Sequence, residues 1–127
     1  FACVNAGGFG YGGRIDAYGF LKDGRRFLLD FKTQNMKGKK TPAYYPEWKY
    51  QLAAYAEWLT KTRAVLSLGE NGLSISRELS VFSVVMDTSE NAGIHVKEYS
   101  QEELSTAYHI FALLLELFYA IKGLPAW

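Results

Sequence analysis

Asp16, Asp30 and Lys32 are the residues of this chain whose types and spacing could do chemistry together. Phe27, Leu29 and Phe31 alternate with Leu28, Asp30 and Lys32. In an extended strand the acid and the lysine therefore share one face, opposite three large apolar residues. Upstream, Lys22-Asp23-Gly24 is a hairpin signal between two strand-like runs, Gly13–Leu21 and Arg25–Thr33. A two-residue Asp-Gly turn would set Ile15 against Lys32 and Asp16 against Phe31. A three-residue loop with Gly24 left-handed sets Asp16 against Asp30 and Ala17 against Leu29. A slip of one residue turns a whole side-chain set to the wrong face, so the longer loop is expected. It gathers two carboxylates and a lysine on one side of the hairpin.

Two facing carboxylates can hold a hard divalent cation such as Mg2+ through oxygen, with the backbone carbonyl of Phe31 completing the protein's share of the ligands. Such a cation keeps several waters, one of which can become a nucleophile. Lys32 would reach that water or the phosphoryl oxygen beside it and stabilise the negative charge that develops. The alternative is a solvent-facing strand on which Lys32 neutralises two acids. Like charges set opposite each other are destabilising without a counter-ion, which weighs against that alternative.

These side chains need a frame. Gln34–Thr41 reads as a basic, polar loop, and Pro46–Thr62 as a helix with Pro46 in its first turn. Trp48, Leu52, Tyr55 and Leu59 recur at helical spacing and are expected in the core. Gln51 and Tyr55, at i and i+4, lie one above the other on one helix face. Leu79–Asp87 and Ile94–Tyr99 read as further strands, while Ala64–Ser76 fits a short strand and a turn at Glu70-Asn71-Gly72. Ser100 and Glu103 make a capping box for a last helix, with Leu104, Tyr108, Phe111, Leu115 and Phe118 as its core stripe and a stop at Gly123 and Pro125. The glycine-dense Ala6–Gly13 reads as a mobile or tightly turned lead-in. The order is strand, strand, helix, strand, strand, helix, a mixed α/β class in a single domain over residues 1–127.

Composition limits the classes. The chain has 127 residues, 49% of them hydrophobic and 21% charged, which excludes disorder, collagen and a coiled coil. One cysteine, Cys3, excludes an internal disulfide framework and a cysteine-built zinc site, and fits a reducing, cytoplasmic setting. The longest apolar stretch, Ala107–Ile121, is broken by His109 and Glu116 and falls short of the roughly 20 residues a membrane span needs, so no membrane partner is expected. His95 and His109 read as a strand residue and a core-helix residue. Net charge is only +1, yet Arg14–Lys49 holds nine basic residues against four acids, and the remainder five against nine. That polarity fits one face turned to a polyanion, or simply an uneven solvated surface.

Gly13-Arg14-Ile15-Asp16, Leu29-Asp30-Phe31-Lys32 and Gln51-Leu52-Ala53-Ala54-Tyr55, in that order and spacing, resemble the signatures of the PD-(D/E)XK nuclease superfamily. The Gln-x-x-x-Tyr element resembles its RecB-like exonuclease branch, which includes phage enzymes. The resemblance is close over about Gly12–Leu59. It implies a restriction-endonuclease-like mixed β-sheet flanked by helices, and a Mg2+- or Mn2+-dependent deoxyribonuclease, an exonuclease on DNA ends or single strands, in repair or recombination or a viral cycle. Asp16 and Asp30 match the metal ligands, Lys32 the catalytic lysine, and Gln51 and Tyr55 the pair that holds the DNA strand and orients that lysine. Lys37, Lys39 and Lys40 are placed to meet phosphates, and among Tyr44, Tyr45, Trp48 and Tyr50 one or two rings could stack on unpaired bases. A dimer or ring would restrict access to DNA ends.

The chain departs from the family at one point. The family's usual first helix carries a glutamate, and often a histidine, and Phe1–Ile15 holds neither an acid nor a histidine. Either that helix precedes the residues given or the fold is reduced. The rival readings are a catalytically silent nucleic-acid-binding module and a structural domain of a larger DNA-processing assembly.

Overall fold

A computed structural model describes residues 1–5, 7–68 and 79–126, and the side chains of all of these except 61–68. Its elements run β1 (Ala2–Val4), β2 (Gly10–Gly12), β3 (Ala17–Phe20), β4 (Arg26–Gln34), α1 (Pro46–Leu68), β5 (Leu79–Asp87), β6 (Ile94–Tyr99) and α2 (Gln101–Lys122). The chain is a mixed α/β protein. Its four-stranded sheet has the order β3-β4-β5-β6, antiparallel at both edges and parallel between β4 and β5, which α1 connects.

The β3–β4 hairpin takes the longer loop. Ala17 pairs with Leu29 and Phe20 with Arg26, Leu21 N–H donates to Arg25 O (2.7 Å), and Gly24 sits at φ +90°. Only glycine adopts that conformation without strain, so the glycine sets the register that carries Asp16 to Asp30. Regular pairing begins at Ala17, so Asp16 stands just ahead of the strand rather than within it.

The buried face of β4 is not the one its three large apolar residues suggest. Leu28 and Asp30 are buried, while Phe31 on the opposite face is 44% exposed. The reason is packing: both helices lie against the face shared by Leu28, Val81 and Tyr99, where Leu52, Tyr55, Leu59, Leu104 and Ala107 complete the core. The expectation of helices flanking the sheet is thus met on one side only among the described residues. Phe31, Met86, Ile94 and Val96 leave the other side largely apolar and exposed.

Several boundaries and burials differ from the reading of the sequence. The glycine-dense start takes the tightly turned of its two alternatives, as the turn and second strand of a β1–β2 hairpin, whose Tyr11 ring meets Phe111 at 5.0 Å and donates from its hydroxyl to Ala54 O. No local pattern in such a glycine run announces these distant contacts. The first helix continues to Leu68, so part of the Ala64–Ser76 segment is helical; the turn at Glu70-Asn71-Gly72 lies outside the described residues. The α2 capping box is present, with Glu103 N–H donating to Ser100 Oγ, and Gly123 ends the helix at φ 66°. Its core stripe shifts at the end: Tyr119 is buried and donates to Gly10 O at 2.8 Å, whereas Phe118 is exposed. His109 is exposed, not a core residue. At 22 residues α2 is long and apolar enough by length and composition to cross a membrane, longer than the apolar stretch the sequence suggested. One of its faces is nevertheless packed on α1 and the first hairpin.

Candidate active site

The site is assembled where β3 ends its pairing with β4. Beyond Leu29, strand β4 remains paired with β5 but has no β3 partner, and there the Phe31 N–H donates instead to Asp16 Oδ2 (2.9 Å). In an extended strand the N–H and C=O of one residue leave by the same edge, so the Phe31 carbonyl faces the side on which Asp16 stands. Asp16 is exposed and Asp30 is only 6% exposed.

Lys32 Nζ lies 3.0 Å from Asp30 Oδ2 as an ion pair. Lys32 is the group that faces Oδ2, which is buried and accepts from no other donor. Burial holds the Asp30 carboxyl above the ordinary carboxylate range; the Lys32 ammonium opposes this and the Asp16 carboxylate adds to it. Asp30 is thus not solvent-facing as the alternative reading of this strand has it, whereas its ion pair with Lys32 is the charge neutralisation that reading expects. In register beside Asp30 lies Ser83, wholly buried and hydrogen-bonded to the Tyr99 hydroxyl at 3.0 Å. Burial pushes the Tyr99 phenol up, so this floor stays neutral beneath the carboxylates.

Helix α1 borders the site at Trp48. Trp48, Gln51 and Tyr55 follow at i, i+3 and i+7, on one side of the helix. Trp48 places its ring under the Lys32 ammonium, 5.7 Å from Nζ to the ring centroid. Gln51 Nε2 donates to the Tyr55 hydroxyl (2.8 Å). Tyr55 in turn lies against Gly13, where a Cβ would come within 2.4 Å of Cε1 and 2.7 Å of the hydroxyl oxygen. The glycine that opens the Gly13–Asp16 segment thus admits the tyrosine, and α1 spans from Lys32 at Trp48 to the approach of Asp16 at Tyr55.

The tertiary structure so brings Asp16, Asp30, Phe31 and Lys32 together and sets Trp48 of α1 against Lys32, while Gln51 and Tyr55 bond to each other and Tyr55 lies against Gly13. Lys37, Lys39 and Lys40 stand apart, exposed around a turn in which Lys37 (φ 52°) and Gly38 (φ 79°) are left-handed. That turn is anchored by buried Met36, whose N–H donates to Asp87 Oδ1. Trp48 is the site residue that sequence reasoning misplaced. Helical spacing put it in the core, but it is half-buried beside Lys32. The available signal was its position three residues before Gln51, on the same face.

Among the described residues no three acids, histidines or cysteines converge. Two neighbouring carboxylates and a nearby backbone carbonyl are oxygen donors that suit a hard, partly hydrated ion such as Mg2+ or Mn2+. They do not suit a fully protein-caged zinc or calcium. The residues fit the ion.

Comparison of the chain with protein-family models, curated proteins and solved structures finds no match.

Proposed function

We propose that this chain is a nuclease of the PD-(D/E)XK, RecB-like type with a restriction-endonuclease-like sheet, which hydrolyses DNA phosphodiester bonds at ends or on single strands with Mg2+ or Mn2+. The observation that carries this reading is Asp30: a buried carboxylate paired with Lys32 at 3.0 Å and next to Asp16. Asp16, Asp30 and the Phe31 carbonyl would hold the cation, which when bound supplies Lewis-acid polarisation of the phosphate and a water of lowered pKa.

The chain's own residues do the rest. Lys32 sits where its ammonium can meet the phosphoryl oxygens as charge accumulates on them, and half-burial strengthens that interaction over its value in water. Trp48 and Asp30 hold the lysine from two sides, so little reorganisation is needed. The Gln51 amide keeps its carbonyl oxygen for a further donor, while its NH2 fixes the Tyr55 hydroxyl. Lys37, Lys39 and Lys40 offer backbone-phosphate contacts that read no sequence.

The test is cleavage of end-labelled linear single- and double-stranded DNA with Mg2+, Mn2+ or EDTA, beside circular controls and the Lys32→Ala protein. Metal-dependent loss of linear DNA, sparing circles and reduced by at least a factor of about 100 in the variant, is expected. Equal cleavage by wild type and variant would sink the reading. The second reading, a catalytically silent nucleic-acid-binding module, is favoured by the convergence of only two acids among the described residues. Salt-sensitive DNA binding without metal-dependent cleavage would select it.

A further inference from the structure

Tyr45 is half exposed beside the site, and its backbone is fixed from both directions. On one side the Gln34 side chain clamps Ala43, accepting from its N–H (2.8 Å) and donating to its carbonyl (3.3 Å). On the other side Pro46 opens α1 and restricts the residue before it to extended conformations. The Tyr45 carbonyl also accepts from Trp48 N–H (3.1 Å). The Tyr45 ring stands edge-on to Trp48, 5.2 Å between centroids at 80°, and Tyr44 meets the same indole at 6.3 Å and 88°. Since Trp48 also carries the Lys32 ammonium, the Tyr45 ring centroid is no more than about 11 Å from Nζ.

A flat ring that is exposed and yet held loses little freedom on binding, which is what a stacking surface requires. In intact duplex each base is already paired and stacked on its neighbours, so a ring set beside the backbone-binding groups can take only a base that is free. The exposed lysine turn at Lys37–Lys40, leading away from the same strand, supplies positive charge for the adjoining phosphates.

We propose that Tyr45, braced by Trp48, is a stacking platform for an unpaired nucleobase one or two nucleotides from the phosphodiester group held at Asp30 and Lys32. The site then takes single strands and frayed ends in preference to closed duplex. The proposal rests on the hydrolytic reading for its location, and on ring geometry for its substance.

The experiment measures fluorescence anisotropy in EDTA with a labelled oligothymidylate, an abasic oligomer of equal length and charge, and a blunt duplex. Wild type, Tyr45→Ala and Tyr45→Phe are compared, with circular dichroism to verify folding. Wild type should bind oligothymidylate more tightly than the abasic oligomer. Tyr45→Ala should weaken the first by roughly 5- to 100-fold, the usual range for one base on one ring, and leave the second nearly unchanged. Tyr45→Phe, which keeps the ring, should retain the preference. Equal binding of both oligomers by wild type, binding of neither, or an unaffected Tyr45→Ala overturns the platform. Cleavage assays with Mg2+ separate the two ideas. Cleavage together with an unaffected Tyr45→Ala rejects the platform and leaves the hydrolysis standing; base-dependent binding that needs Tyr45, in a protein that cuts nothing, supports the platform and rejects the hydrolysis.

Discussion

Adding one methyl group at Gly13 should unseat Tyr55. A Cβ there would lie 2.4 Å from Tyr55 Cε1, 2.7 Å from its hydroxyl oxygen and 2.8 Å from Cζ, far inside any tolerated contact. The ring has little room to retreat, being 9% exposed and packed edge-on to Phe1 at 5.1 Å. Overpacking of this kind costs about 1–3 kcal/mol. If the ring moves, the Gln51–Tyr55 hydrogen bond is lost as well, adding about 0.5–1.5 kcal/mol. Gly13→Ala should therefore lower unfolding free energy by about 2–4 kcal/mol and the melting temperature by about 10 °C. Urea denaturation read by circular dichroism measures it, and a double-mutant cycle with Tyr55→Leu assigns it. With the aromatic ring removed, the extra methyl has room, so most of the cost should vanish in that background. A cost below about 0.5 kcal/mol, or one unchanged by Tyr55→Leu, would refute the claim that the glycine exists to admit the tyrosine.

Further outcomes follow from the same geometry. Asp30→Asn should stabilise the protein at neutral pH. The folded-state carboxyl has a raised pKa, so its destabilising contribution is present above that pKa and is relieved as pH falls towards the unfolded value of about 3.9. Melting temperature against pH should show that relief in wild type and not in the variant. Gln34→Ala removes both bonds to Ala43 and should cost about 1–2 kcal/mol while speeding tryptic cleavage at Lys37, Lys39 and Lys40. Ser100→Ala breaks the α2 capping box and should cost about 1 kcal/mol in denaturant titration.

Local features were legible in the sequence. Strand β5 and strand β6 occupy the segments read as strands, and the α2 capping box and glycine stop follow from residues within one helical turn. The Asp16–Asp30 juxtaposition was also legible, because period-two alternation and a single left-handed glycine leave one sensible register. Trp48 and Phe118 were misread for a shared reason. Helical spacing defines a broad stripe, and only the partner elements decide which edge of it is covered.

The amino-acid sequence alone determined β3, β4, β5, β6 and α2, the hairpin register and the cluster of two aspartates and a lysine, since each depends on residues near in the chain. Tertiary structure alone decided that the Asp30 face of β4 is the buried one, that Trp48 braces Lys32, and that Gly13 makes room for Tyr55. These depend on α1 crossing the end of β4, and contacts between residues distant in the chain are set by how layers pack, which no local pattern encodes.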